Sequence, residues 1–348
     1  MNFDSSPHDE GTVLRPETIS RRKLPVNFNQ DDFNLFSHEL ERVIPQTRLL
    51  ELHNVGVSAE GILFQRGKML PESFAFPANR KNWKRRSVLS FVLSNYLLRK
   101  RRRFEKDASW VIDDWSAGYF HWLADVLPRL FTIRDRLKDL VLVLPHAYKG
   151  LEFVQPSLKA FIMGGVEFID PGEVLFCKKL IVPTHTAPSG HYNEEIIGGV
   201  RSLLLQVYGD SGGGERIYIS RGRARKRRIL NEEAVLDILA EFGFQTIYAE
   251  DLSFEQQVKT FSQARYLVSN HGAGLTNMLF MPQGAGVLEL RHHTDCINNC
   301  YFTLSSALHL NYFYQRCQSG NSDQEPHVAD LLVDPQILRE NLELLTRS

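Results

Sequence analysis

A diphosphate is best held by fixed positive charge and paired hydrogen-bond donors, and one stretch of this sequence offers both. Ser220-Arg221 is followed by Arg223, Arg225, Lys226, Arg227 and Arg228. Arginine presents a two-pronged donor set that matches phosphate oxygens. The same run also reads as a solvated basic loop or an RNA contact. A second group is His271-Gly272-Ala273-Gly274, with Leu275, Thr276 and Asn277 opening a helix. Glycine lets backbone N–H groups approach a phosphate, and a helix N-terminus favours negative charge. A histidine at the lip could donate to a phosphate or sugar oxygen, although a plain strand-to-helix turn has the same sequence. The third candidate is Glu289, a lone carboxylate in the apolar run Val287-Leu288-Glu289-Leu290. Buried without partners it is costly. Ribose hydroxyls would serve, as in dinucleotide folds, and so would a salt bridge to Arg291 or a nearby lysine. The fourth group lies in the other half of the chain. His121 and Asp125 are four apart, so a helix puts them on one face. They sit among the aromatics of Gly118-Tyr119-Phe120-His121-Trp122, residues that stack well on sugar rings. A histidine–carboxylate pair can act as a general base or be a surface ion pair.

Three of these groups fall at the carboxyl ends of strands in one predicted sheet. Strands are expected at 216–220, 244–248, 266–269 and 286–290. Asn231 is expected to cap a helix with Val235, Ile238, Leu239 and Phe242 on one stripe, and Gly243 to end it. Ser253 and Gln256 predict a capping box for the next helix, and a short helix runs to Phe280. This β-α-β-α-β-α-β order implies a doubly wound nucleotide-binding arrangement whose ligand sits at the strands' carboxyl ends. The first half also alternates. One amphipathic helix and a turn are expected over 29–50, strands within 49–64 around a turn at 58–61, and a helix over 87–103. A short strand at 110–112 precedes a helix over 118–136 that carries His121 and Asp125. Strands at 140–144, 166–169 and 180–182 and helices at 156–163 and 193–208 complete an α/β pattern.

The chain has 348 residues, which suits two domains. Residues 1–30 read as a mobile arm, 31–190 as an acceptor-side α/β domain and 191–348 as a nucleotide-sugar-binding α/β domain. The last helix is placed so that it could fold back on the first domain. Lys+Arg and Asp+Glu both number 41, a balance that argues against a dedicated nucleic-acid binder. Basic residues still cluster: 80–103 holds ten Lys or Arg and no acid. Residues 1–15 are polar and acidic, unlike a secretory signal, and no apolar run reaches the ~18 residues of a membrane span. The four cysteines, Cys177, Cys296, Cys300 and Cys317, read as buried reduced thiols. Cys296 and Cys300, with His292 and His293, are the weaker alternative of a zinc site.

Taken together, these segments resemble glycosyltransferase family 61. The resemblance rests on Gly118-Tyr119-Phe120-His121-Trp122-Leu123-Ala124-Asp125-Val126-Leu127-Pro128-Arg129, on Ile219-Ser220-Arg221 with Arg227-Arg228-Ile229-Leu230-Asn231-Glu232, and on Leu267-Val268-Ser269-Asn270-His271-Gly272-Ala273-Gly274-Leu275-Thr276-Asn277. It implies a GT-B fold of two Rossmann-like doubly wound domains facing across a cleft. It implies inverting transfer of a sugar from a nucleotide-sugar, a UDP-sugar, to a hydroxyl of a glycan or lipid-linked glycan, with no metal and no other cofactor. The donor would be held by Ser220, Arg221, Arg225, Arg228, His271, Gly272, Ala273, Gly274, Thr276, Asn277 and Glu289. The base would be His121 or Asp125, with His271 and His185 in reserve. Without a signal anchor, the chain reads as a bacterial-type, capsule-polysaccharide-like member in the cytoplasm, touching the inner face of the membrane through 84–103. The rival readings are a basic nucleic-acid-binding module and a non-catalytic membrane scaffold.

Overall fold

The computed structural model describes residues 11–76, 90, 91, 93–210, 215–320, 325, 326 and 328–347. The chain divides into two compact units. Residues 1–18 and 44–189 form the first, and residues 19–43 and 190–348 form the second. The division at Ser189/Gly190 falls inside the proline-rich stretch that follows the last long strand of the first unit.

Seventeen strands occur among the described residues. The first unit is built on β1 (Thr12–Arg15), β4 (Thr47–Ser58), β5 (Leu63–Gln65), β6 (Lys68–Met69), β7 (Lys100–Phe104), β8 (Ala108–Ser109), β9 (Val141–Pro145), β10 (Val166–Ile169) and β11 (Glu173–Pro183). Between them in the chain, β2 (Thr18–Arg21) and β3 (Glu41–Ile44) make a two-stranded sheet of their own. The first unit's sheet runs β10-β9-β8-β11-β4-β5-β6, with β1 on β4 and β7 on β11. It is mixed rather than purely doubly wound. The β10–β9–β8–β11 half is parallel, while β4 pairs antiparallel with β11, β5 and β1. The parallel strand β9 is apolar along its length and almost wholly buried, as a strand covered on both faces requires. The expected turn at 58–61 joins β4 and β5, with Gly61 at φ 85°.

Several local expectations give way to tertiary packing. The segment read as a mobile arm is placed from residue 11 onward: β1 is zipped to β4. Residues 1–10 lie outside the described ones. The helix and turn expected over 29–50 are two short 3-10 turns around one helical turn, Phe33–Phe36, followed by β3 and β4. Pro45 cannot continue a helix, and Val43 and Ile44 favour extended backbone. Of the helix expected over 87–103, only residues 90, 91 and 93–98 are helical among the described ones, and 100–104 is β7. There Arg102 meets Glu167 at 2.7 Å and Glu173 at 3.2 Å, which holds it to its own sheet. The buried segment 110–112 runs on from β8 without being a strand.

The helical stretch 119–132 matters most for the first unit. It begins as α over Tyr119–His121, widens to a π turn over Trp122–Val126 and returns to α over Leu127–Thr132. Pro128 has no N–H for the Ala124 carbonyl, and its ring would crowd that carbonyl in a regular α-helix. The wider turn relieves both problems. Trp122, Leu123, Val126, Leu127 and Leu130 point into the core at 0% exposure. The remaining face keeps His121, Asp125 and Arg129 in line.

The second unit is the doubly wound one. Its strands are β12 (Glu215–Ile219), β13 (Gln245–Ile247), β14 (Ala264–Asn270), β15 (Gly286–His292), β16 (Asn311–Ser319) and β17 (Leu331–Leu332), in the order β13-β12-β14-β15-β16-β17. All neighbours are parallel except the last pair. From β12 the chain moves outward to β13 through helix Glu232–Glu241, then returns past it to β14 through helix Phe254–Ser262. Strand order therefore reverses between β12 and β14, the position at whose carboxyl ends doubly wound sheets hold their ligands. The Ser253/Gln256 capping box is formed. Asn231 does not cap: its side chain instead pairs with both backbone groups of Val333. Strand β16 and helix Cys300–Ala307 extend the unit beyond what periodicity indicated. The last helix, Pro335–Arg347, places Leu338, Leu342 and Leu345 in this unit's own core beside Val235, Ile238 and Leu239. Cys177 and Cys317 are buried, whereas Cys296 is exposed.

Candidate functional site

In the second unit the loops leaving β12 and β14 meet at the switch point. Arg221, the second residue beyond β12, lies against the glycine loop after β14. A Cβ on Gly272 would sit 2.5 Å from Arg221 Nη1, so only glycine leaves the guanidinium its place. Arg221 Nε and Nη2 donate to the carbonyls of Arg227 (3.4 Å) and Lys226 (3.2 Å), which steadies the side chain. Burial and the neighbouring Arg227 cation lower the Arg221 pKa, so the group is a partly desolvated positive charge. Arg227 itself takes a left-handed backbone with φ 58°, which costs a non-glycine residue on the order of 1–3 kcal/mol. That geometry turns its carbonyl toward both Arg221 Nε and Asn270 Nδ2. The 3-10 helix Ala273–Phe280 starts at this point, its first helical bond running from Leu275 N to Gly272 O at 2.9 Å, so the N–H groups of Ala273 and Gly274 precede the helix's own bonding.

Other expected donor contacts are distributed differently. Ser220 is buried and donates to Glu232 Oε1 at 2.7 Å, which anchors the arginine loop from beneath. Arg225 is exposed. Arg228 turns to Asp330, bonded through its backbone N at 2.8 Å and its Nη2 at 3.1 Å. Asn277 is buried and donates to Gln257 at 3.0 Å, and Thr276 is buried too. Both belong to the helix's inner face. Gly272, Ala273 and Gly274 are the part of this loop that borders Arg221 and Ile219.

Glu289 is wholly enclosed in β15. Its Oε1 meets His271 Nδ1 at 2.5 Å and its Oε2 accepts from Tyr312 Oη at 2.5 Å. Both carboxylate oxygens are thus engaged, so the expected ribose contact has no room. Burial raises its pKa, but His271, Arg291 and the Tyr312 hydroxyl outweigh that and hold it below the ordinary value. With the His271 proton on Nδ1, its Nε2 accepts from Asn298 Nδ2 at 3.0 Å. Nothing in the sequence around Glu289 pointed to Tyr312 or Asn298, which come from β16 and the loop before helix Cys300–Ala307. The carboxylate's role here is to fix the ring beside the loop.

In the first unit, His121 Nδ1 and Asp125 Oδ2 are 2.8 Å apart, and Ser189 Oγ donates to the same oxygen at 2.9 Å. The pair is therefore a triad with a residue 64 positions away, which no spacing rule could reveal. Trp115 and Phe120 each stand 5.0 Å from the His121 ring. A second pair lies close by: His185 Nε2 meets Asp113 Oδ2 at 2.8 Å. Burial raises the Asp113 pKa, yet His185, Arg129 and the Trp115 N–H hold it down at about 2. Arg129, one turn beyond Asp125, is fully buried and donates from Nε to Pro183 O at 3.0 Å. Helix 119–132 and the segment 183–189 thus meet at Arg129 with Pro183 and at His121 and Asp125 with Ser189.

Comparison with known proteins bears on both units. Residues 119–288, just under half of the chain, match the family model Glycosyltransferase 61. The chain is 42% identical over 212 residues to Protein O-linked-mannose beta-1,4-N-acetylglucosaminyltransferase 2 of Bos taurus, an overlap of 56% of this chain and 32% of that protein. It is 33% identical over 195 residues to the protein of the same name from Canis lupus familiaris, covering 51% and 30%. It is 35% identical over 98 residues to EGF domain-specific O-linked N-acetylglucosamine transferase of Drosophila melanogaster, covering 27% and 18%. The chain spans a third or less of the length of these relatives. The family match and the relatives' names support a glycosyltransferase.

Proposed function

We propose that this glycosyltransferase 61-like chain transfers a sugar from a UDP-sugar to a hydroxyl group of a glycan or lipid-linked glycan, with inversion at the anomeric carbon. The observation that carries the donor half is Arg221 packed over Gly272 at the point where strand order reverses. A diphosphate there would meet a desolvated guanidinium and the N–H groups of a helix start. These donors stabilise the departing nucleotide, the role a divalent ion fills in other transferases, so the proposal includes no metal. Glu289 holds His271 in orientation at the loop. In the acceptor half, His121 or Asp125 removes the hydroxyl proton, with Ser189 fixing the carboxylate. The proposal extends to the GT-B class and to a capsule-like polysaccharide product made in the cytoplasm.

A thermal-shift series over UDP-, GDP-, CMP- and dTDP-sugars, with and without EDTA, tests it. A ligand that binds only the folded state raises the melting temperature. A rise with a UDP-sugar that survives EDTA is expected. No rise with any nucleotide-sugar, or one abolished by EDTA and restored by manganese, overturns the reading. Leu97 and Leu98 are exposed at 74% and 84% and precede β7, which motivates a membrane contact through 84–103. Binding to anionic but not neutral vesicles, fading with salt, is the expected result.

A further inference from the structure

Arg129 is a charge buried beyond what the transfer step requires. Its exposure is 1%, and among the described residues both its Nη1 and Nη2 are buried without a hydrogen-bond partner. Leaving such donors unmatched in a folded core is costly, so the residue needs another reason to be there. It lines a cavity of about 440 Å³ in the first unit. The cavity is otherwise largely apolar, with Phe74, Phe76 and Pro188 among its walls, and Arg48, Glu72 and His185 are its other charged or titratable groups. The bond from Nε to Pro183 O fixes the plane of the guanidinium. Burial lowers the Arg129 pKa to about 10 against the opposing pull of Asp113, Glu72 and Asp125, so it stays charged at neutral pH. Asp113 and Asp125 are already engaged by His185 and by His121 and Ser189.

The cavity and the His121 site are neighbours, separated by packed rings. Phe76 packs on Trp115 at 5.0 Å, and Trp115 packs on His121 at 5.0 Å. Pro188 in its wall adjoins Ser189. Arg129 also follows His121 and Asp125 along the same helix face.

We propose that this cavity is a subsite for an acidic sugar, whose carboxylate or phosphate is held by the Arg129 fork and one of whose hydroxyls is held by Glu72. An arginine fork matches either oxyanion with two parallel bonds, and a carboxylate accepts from a sugar hydroxyl. The inference rests on the transferase reading only in naming the occupant as part of the acceptor. Its test is binding, not turnover.

The test is titration of the full chain with glucuronate, glucose 6-phosphate and glucose, followed by ligand-detected NMR or calorimetry. At least one acid should bind, and glucose about tenfold or more weaker. Binding of glucuronate alone identifies a carboxylate ligand, and of glucose 6-phosphate alone a phosphate. Arg129→Gln should weaken the acid about tenfold or more, the loss expected for a charge-assisted bond, and leave glucose unchanged. Should that variant fail to fold, Ala75→Phe decides, because it fills the cavity from its half-buried wall and must also abolish binding. The proposal is overturned if neither acid binds, if glucose binds equally well, or if affinity survives in a folded Arg129→Gln or in Ala75→Phe. UDP titrated into the same samples separates the two readings, since loss of UDP binding counts against the transferase reading and not against the subsite.

Discussion

Replacing Gly272 with alanine perturbs the donor site without removing any of its charged groups. The new Cβ would lie 2.5 Å from Arg221 Nη1 and 3.0 Å from its Cζ. The backbone at 272 is extended, with φ 169°, so alanine adopts it freely and the effect falls on the guanidinium. Ordinary contact begins near 3.4 Å, so Nη1 must retreat by about 1 Å. A donor–acceptor distance stretched by that much is no longer a hydrogen bond. One charge-assisted bond contributes about 1.5–3 kcal/mol, or about 10- to 150-fold in affinity. Gly272→Ala should therefore weaken UDP by that factor, and Arg221→Ala by the same factor. The double variant should be no worse than either single one, because both lose one interaction. Melting temperatures should move little, as the displaced atoms are the far end of a flexible side chain. Calorimetric titration of UDP into the four proteins measures this. Wild-type affinity in Gly272→Ala, or two losses that add in the double variant, would refute the steric reasoning.

His121→Ala and Asp125→Asn should each lower turnover by roughly 100-fold, the scale of general-base catalysis. UDP affinity should stay the same, so steady-state transfer together with UDP titration distinguishes this role from a structural one. Arg228→Ala should leave UDP affinity intact, because its side chain is committed to Asp330. A loss matching that of Arg221→Ala would show that the loop rearranges on binding. Asp113 is held at about 2 against an ordinary 3.8, worth about 2 kcal/mol at ~1.4 kcal/mol per tenfold. Its lowered folded value favours the folded state fully above pH 4, and that contribution is lost as pH falls toward 2. Asp113→Asn should thus cost about 2 kcal/mol in urea denaturation at pH 7, and a gap from wild type that is equally wide at pH 3 would contradict this.

Much of the second unit could be read in advance because its signals are local. Glycine after a strand, a capping box and an apolar stripe each depend on residues within one turn of each other, and β12 through β15 follow from them. Arg221 and Gly272 were visible for the same reason. Partners supplied across the sheet were not. Tyr312 reaches Glu289 from the adjacent strand β16, so a carboxylate that looked free for a ribose is already satisfied. Arg228 looked equivalent to Arg221 in a run of arginines, and only the fold sends it to Asp330. In the first unit, the His121–Asp125 spacing was legible, but Ser189 and the cavity over Arg129 required a distant segment to be placed. The mixed sheet was missed because β4 carries polar residues on part of its length, and its antiparallel partners come from both before and after it in the chain.

Residues 19–43 belong to the second unit although they precede every strand of the first unit's main sheet except β1. Asn27 bonds Tyr314 O, Asp32 pairs with Arg316 at 2.6 Å, and Leu35 and Phe36 pack with Phe302, Tyr312 and Tyr314. During synthesis those N-terminal residues emerge nearly 300 positions ahead of their partners. At about 5–20 residues per second that is a wait of roughly 15–60 s, during which the intervening first unit can form. Apolar groups such as Phe36 stay without their native neighbours throughout. The second unit is therefore completed last, from segments on both sides of the first unit's main strands, and removing residues 19–43 would damage the second unit more than the first.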